Sequence, residues 1–328
     1  LARGWDRPDF VYVTGDAYVD HPSFGVAIIS RVLEAAGYRV AILSQPDYKS
    51  AEAFKEFGRP RLGFLVTAGN IDSMVAHYTA SKRKRKYDYY SPGGKMGLRP
   101  DRAVIVYCNR IREAYGDVPI ILGGLEASLR RLAHYDYWDD AVRPSMLMDA
   151  EADLLLYGMG EKTITEICNC YREGKSTEDM RHIRNVCYLC KQHELPADYV
   201  TCASFQKVSE NKQSYAKAHQ IQTIWQDAVY GKHIVQKHSD ELYLVQNPPM
   251  PTLTREELDK VFELPFQRTY HPDYEAQGGV DAIKEVEFSI MQNRGCFGNC
   301  NFCAITFHQG RQVVSRSEES ILKEAEAM

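Results

Sequence analysis

Along the first half of the chain, short runs of β-branched and aromatic residues alternate with stretches whose apolar positions recur at helical spacing. Residues 10–14 predict a first strand. Residues 23–36 predict a helix with Phe24, Ile28, Val32 and Ala35 on one face, closed by Gly37. Further strands are expected at 39–43 and 62–67. A helix over 102–115 leads to a strand at 119–122 that runs into Gly123-Gly124, and a strand at 153–157 reaches Gly158-Met159-Gly160-Glu161 before a helix to about residue 172. This alternation predicts an α/β fold: a doubly wound parallel sheet with helices on both faces.

In such sheets the ligand crevice lies outside the carboxyl ends of the strands. The ends at Thr14-Gly15-Asp16, Thr67-Ala68-Gly69-Asn70, Gly123-Gly124 and 158–161 should therefore converge on one edge. Asp16, Asp20, His21, Asn70, Glu126 and Glu161 would gather polar groups there. For Asp16, Asp20 and His21 the competing expectation is a capped turn before the first helix, with Asp20 or Ser23 as the cap.

Past residue 175 the alternation stops. Residues 176–280 read as a mixed connector with one clear strand at 242–245, a proline-rich turn at 248–251, and helices near 215–230 and 255–262. Residues 281–328 open with a strand expected at 286–291, followed by a cysteine loop. Ser315 and Glu318 then fit a capping box before a last helix with Ile321, Leu322 and Ala325 on one face. The expected units are thus 1–175, 176–280 and 281–328, in keeping with two or three domains for 328 residues.

Charge and composition narrow the picture little. A net charge of −4 gives no global pull toward nucleic acid, and no apolar run approaches membrane-spanning length. Nine cysteines with no signal peptide in view argue for reduced thiols in a cytoplasm. The chain opens on Leu1 and closes on Met328 inside an apparent helix, so both ends look cut.

The densest chemistry is Arg294-Gly295-Cys296-Phe297-Gly298-Asn299-Cys300-Asn301-Phe302-Cys303. Three thiolates on a short flexible loop can wrap a 4Fe–4S cubane and leave one iron without a protein ligand. A ferredoxin closes all four positions with cysteine and spaces them differently. An open iron can chelate a substrate or cofactor directly. Two plainer readings compete: a Cys3His zinc site that includes His308, and ordinary buried thiols.

The spacing Cys-x3-Cys-x2-Cys, with Phe302 just before the last cysteine, is similar to the signature of the radical S-adenosylmethionine (SAM) superfamily. Several further blocks resemble the YgiQ family within it. They are Asp16-Ala17-Tyr18-Val19-Asp20-His21-Pro22-Ser23-Phe24-Gly25, Ser91-Pro92-Gly93-Gly94 with Arg99-Pro100-Asp101-Arg102, Asn247-Pro248-Pro249, Leu264-Pro265-Phe266, and His308-Gln309-Gly310-Arg311 with Ser315-Arg316-Ser317. The resemblance implies a cobalamin-binding-like domain followed by a radical SAM barrel. It implies Cys296, Cys300 and Cys303 as cluster ligands, SAM on the open iron, and Phe302 beside the adenine. The implied reaction is reductive cleavage of SAM to methionine and a deoxyadenosyl radical, with electrons from a reductant such as flavodoxin or ferredoxin.

Two departures stand out. Cobalamin binding uses Asp-x-His-x-x-Gly, whereas Asp20 and His21 are adjacent here and Gly25 falls one place late, so bound cobalamin is not expected. The sequence also stops after one strand-and-helix unit of the barrel, so this chain alone is expected to be an incomplete catalyst.

Two other stretches bear on function. Residues 82–86 (Lys82, Arg83, Lys84, Arg85, Lys86), followed by Tyr87, Tyr89 and Tyr90, could grip RNA by phosphate contacts and stacking, although such runs are more often solvated loops. Cys187 and Cys190 have zinc-knuckle spacing, with His182, His193 and Cys202 near in sequence but no second pair. The rival to an enzyme is therefore a Rossmann-like RNA- or protein-binding module whose cysteines form a zinc or redox clip.

Overall fold

The computed structural model describes residues 4–298, 300 and 302–328. Among them, nine strands form one sheet: β1 (Phe10–Thr14), β2 (Val40–Ser44), β3 (Gly63–Thr67), β4 (Ile120–Leu122), β5 (Leu154–Leu156), β6 (Val186–Cys190), β7 (Tyr199–Cys202), β8 (His233–Lys237) and β9 (Tyr243–Gln246). The spatial order is β2-β1-β3-β4-β5-β6-β9-β8-β7. The first five are mutually parallel, β6, β9 and β8 join by antiparallel pairs, and β7 runs parallel to β8. Order 2-1-3-4-5 is a doubly wound arrangement whose direction of winding reverses between β1 and β3.

Side chains alternate across this sheet with the two-residue period of a strand. Val11, Val13, Phe64, Val66, Ile120 and Leu122 share one core with Val104, Tyr107 and Ile111 of the helix Ala103–Tyr115. Phe10, Tyr12, Leu65, Ile121 and Leu154 share the other, covered by the helices Gly25–Ala35 and Glu161–Arg172. Burial on both faces is why these strands read as unbroken apolar runs.

The sheet does not end where the alternation does. The stretch 176–280 supplies four more strands of this sheet, β6, β7, β8 and β9, where one strand was expected. β6 is the apolar run Val-Cys-Tyr-Leu-Cys, nearly all buried. β7 is an edge strand with exposed Tyr199 and Thr201, which hid its pattern.

Residues 286–291 form a turn and irregular chain, not the expected strand. A strand persists only where its backbone groups find a partner. That happens at Asn293–Arg294, which pairs antiparallel with Val314–Ser315. Ser315 is thereby used in pairing, and the last helix, Glu318–Glu326, is capped instead by Ser317, whose side chain accepts from the Ser320 amide. Its Leu322 and Ala325 are exposed. No helix among the described residues is long and apolar enough to cross a membrane.

Candidate functional site

The carboxyl ends of β1, β3, β4 and β5 open onto a cavity of about 370 Å³. Its walls include Ser23, Asn70, Gly123, Gly124, Gly158 and Glu161 from the sheet side. Met291, Arg294, Ile305 and His308, which flank the cysteine loop, line the opposite side. Two glycines make the junction possible. A Cβ on Gly124 (φ +82°) would stand 2.2 Å from Thr67 Oγ1, and one on Gly69 (φ +114°) would stand 2.1 Å from Asp16 Oδ1.

Three ties hold the cysteine segment against this edge. Arg294, two residues before Cys296, forms a buried ion pair with Glu161, their side chains only 7% and 5% exposed. His308 Nδ1 lies 3.1 Å from Ser128 Oγ, which also accepts from the Gly158 amide at 3.0 Å. The Gln226 side-chain amide donates to the Phe307 carbonyl at 2.6 Å. Burial pushes the His308 imidazole down to about 4, so it is neutral at pH 7. Its Nδ1 faces Ser128, and among the described residues it does not stand in a group of three ligand-type side chains.

Between these ties the loop stands proud. Gly295 (φ +85°) turns the chain where a Cβ would meet the Gln312 carbonyl at 2.1 Å. The Cys296 amide donates to the Gly310 carbonyl at 3.1 Å, and the Cys303 amide to the Cys300 carbonyl at 3.0 Å. Cys300 is exposed, while Cys296 and Cys303 are half-buried. The sulfurs of Cys296 and Cys300 both approach Gly298, within 3.4 and 3.6 Å of where its Cβ would be. Among the described residues no three ligand-type side chains stand together as a ready metal site. A thiolate site commonly takes its final shape on binding. Three free thiols of one loop, outside the core, are a donor set that fits an open-site cluster. Phe302 is 93% exposed beside the last of them.

The remaining cysteines differ in kind. Cys108, Cys168, Cys170, Cys187, Cys190 and Cys202 are all free and buried. Burial raises the thiols of Cys168, Cys187 and Cys202 to about 12 and that of Cys190 to about 11. Cys187 packs in one core and Cys190 in the other, on opposite faces of the sheet. The zinc-knuckle spacing is therefore a strand's alternation, and the two cannot share a metal.

Of the polar residues expected at the crevice, Asn70 and Glu161 line it. Asp16, Asp20, His21 and Glu126 do not; each is buried behind it. Asp16 accepts from Arg99 Nη1 at 2.7 Å and from the Asn70 amide at 2.6 Å, and Arg99 also grips Asp88 and the Ala68 carbonyl. Burial nevertheless raises the Asp16 carboxyl to about 6, with Arg99 opposing. Asp20 pairs with Arg31 and accepts from the Gln267 amide at 3.1 Å. His21 Nδ1 accepts from the Ser23 amide at 3.1 Å. The capping alternative also fails in its stated form, because the helix Gly25–Ala35 has Phe24 at its N-cap and no side-chain cap. Arg294, the cation that joins sheet and loop, was not foreseen as a site residue. Its place directly before Gly295-Cys296 was the available signal.

Residues 1–289 match the family model described as "Radical SAM N-terminal". The chain is similar to a UPF0313 protein of Clostridium botulinum (strain ATCC 19397 / Type A), with 60% identity over 326 residues, 99% of this chain and 50% of that protein. It is also similar to a UPF0313 protein of Clostridium perfringens (strain ATCC 13124), with 58% identity over 327 residues, 99% of this chain and 49% of that protein. The chain thus spans about half the length of the curated relatives it matches. In fold it is similar to the radical S-adenosylmethionine methyltransferase TsrM from Kitasatospora setae, solved with tryptophan substrate and a SAM analog. There the TM-score is 0.51 at 15% identity, over 97% of this chain and 45% of that one. A second structure of the same protein, with cobalamin and a [4Fe-4S] cluster, gives the same score. The match over residues 1–289 and the YgiQ-type relatives place this chain in the radical SAM N-terminal family.

Proposed function

We propose that this chain is the part of a radical SAM enzyme that carries the cluster loop, with Cys296, Cys300 and Cys303 as the three ligands of a 4Fe–4S cluster. The supporting observation is the position of the loop: three free thiols, anchored by the Arg294–Glu161 pair, beside the crevice at the strand ends. When bound, the cluster supplies the electron for reductive cleavage of SAM to methionine and a deoxyadenosyl radical. The chain's own residues do the holding. Arg294 and Glu161 neutralise each other in a buried setting and fix the loop's root. Gly295 turns the loop outward, and Phe302 offers an exposed ring to border the adenine.

Cobalamin is not part of this reading. Asp20 is spent on Arg31, and His21 is sealed beneath the crevice with no exposed surface. A corrinoid spectrum in stoichiometric amount in purified protein would overturn that exclusion. The setting is a reducing cytoplasm with a low-potential donor such as flavodoxin or ferredoxin, which suits nine free thiols.

The test is anaerobic reconstitution with iron and sulfide. The expected outcome is about four irons per chain, as one cubane requires, with an electron paramagnetic resonance signal that changes when SAM is added. Zinc retained under air, with no iron uptake, would defeat the proposal.

A further inference from the structure

A basic loop and an aromatic hairpin meet on the same edge of the sheet. The loop follows β3 through the short helix Ser73–His77, and the hairpin (His134–Asp136 with Ala141–Arg143) follows β4 through the helix Gly124–Leu129. Both spring from carboxyl ends of parallel strands, so both stand on the crevice side. Lys82, Arg83, Lys84, Arg85 and Lys86 are all exposed.

The loop has a defined shape. Tyr78 and Lys84 form a β-bridge, and Arg85 Nε donates to the Val75 and Tyr78 carbonyls at 3.0 and 3.2 Å. Lys82 Nζ donates to the Trp138 carbonyl at 3.2 Å and lies 4.8 Å from the Tyr137 ring centre. Trp138 packs on Tyr78 with ring centres 5.1 Å apart. The Tyr137 hydroxyl donates to the Ala80 carbonyl at 2.6 Å. These contacts hold the Tyr137 ring beside the cations while leaving it 48% exposed, with Tyr135 47% exposed two positions earlier.

Most carboxylates around the hairpin are engaged by other groups, while Asp140 accepts from the Tyr135 hydroxyl at 2.5 Å. Asp136 and Asp139 pair with Arg102, and Asp101 takes His77 and Tyr78. Lys82 and Arg85 also shape the loop through backbone carbonyls, yet no cation of the row is paired with a carboxylate among the described ion pairs, and the rings beside them stay exposed. This arrangement matches a chain of phosphates bearing unstacked bases.

We propose that this surface binds a single-stranded polynucleotide, with phosphates on residues 82–86 and a base stacked on Tyr137. The site lies outside the cysteine loop, so its binding is measured on cluster-free protein, and its failure is separable from failure of the cluster.

The experiment is fluorescence anisotropy of the full 328-residue chain with labelled oligouridylate, oligothymidylate and duplex DNA of about 12 units, within the span of one such groove, from about 50 to 300 mM salt. Single strands should bind in preference to duplex. The salt slope should be about −3.5, from roughly 0.7 per phosphate over five contacts. Tighter binding of oligouridylate names RNA as the source, and tighter binding of oligothymidylate names DNA. Joint Lys82→Gln, Lys84→Gln and Lys86→Gln should flatten the slope by about 2 and weaken binding more than tenfold. Tyr137→Ala should weaken it about tenfold at unchanged slope, the worth of one stacked base, and Tyr137→Phe, which keeps the ring but loses its tie to the Ala80 carbonyl, should recover most of it. Circular dichroism melting serves as the check that each variant stays folded. No binding at about 50 mM salt, equal binding of duplex, or indifference to the triple variant would overturn the proposal.

Discussion

Two sets of cysteines in one chain show how environment decides what a thiol is for. The six in the sheet and its helices are sealed in apolar surroundings, where desolvation penalises the thiolate and keeps the proton on sulfur. The three on the loop stand outside the core at the edge where the parallel strands end. Residue type is the same, yet only the second set is open to solvent and to a ligand arriving from it. Cys187 and Cys190 make the point sharply. Their spacing suits a metal on paper, but a strand sends them to opposite faces.

The largest test of this contrast is ligand removal. Cys300→Ala should reduce iron from about four per chain to near zero after reconstitution, while Cys187→Ala should leave iron at the wild-type level. Equal loss in both, read by iron and sulfide assay, would erase the distinction.

Next in size is the tie between loop and sheet. Arg294→Met leaves the Glu161 carboxylate buried without its partner, which should cost about 3–5 kcal/mol in urea unfolding. The double change with Glu161→Leu should recover much of that loss. A cost below about 1 kcal/mol would show that the pair is not a buried anchor.

A smaller effect is expected inside the core. Cys187→Ala removes a buried sulfur and should cost about 1–2 kcal/mol through the small cavity it leaves, with the sheet's circular dichroism unchanged.

The last effect is on acid stability. His21, His134, His238 and His308 are each held at about 4 by burial, below the ordinary value of 6.5. The unfolded chain therefore binds more protons between those values, so stability should fall as pH drops from about 6.5 toward 4. Asp16, raised to about 6, acts the other way over most of that window. Melting temperature measured across the range should show a net decline; a flat or rising profile would contradict the buried, neutral histidines.

How much of this was legible depended on where partners sit. Strands β1, β3, β4 and β5 could be read because each is an apolar run closed by a turn or glycine, and both faces are buried. β6 was obscured because its cysteines invited a metal reading, and β8 because polar His233, Gln236 and Lys237 break its pattern. Residues 286–291 failed in the other direction, since an apolar alternation needs a neighbouring strand that the sequence cannot promise. The polar residues after β1 were seen, but not their fate. Arg99 lies 83 positions from Asp16, and nothing local announces that the pair will be buried. The cysteine loop was legible as chemistry because its spacing is short and local. Its attachment through Arg294 was not, since Glu161 is 133 positions away.

That separation has a temporal side. Residues Val19–Asp20 pair with Thr269–Tyr270, and the Gln267 amide reaches back 247 positions to the Asp20 carboxylate. A chain made from its amino end can form the parallel sheet early, but these closures must wait until the later residues exist. Until then the crevice has a floor and no facing wall. The loop bearing the thiols thus follows the parallel sheet in synthesis, and the edge it packs against can be built before it emerges.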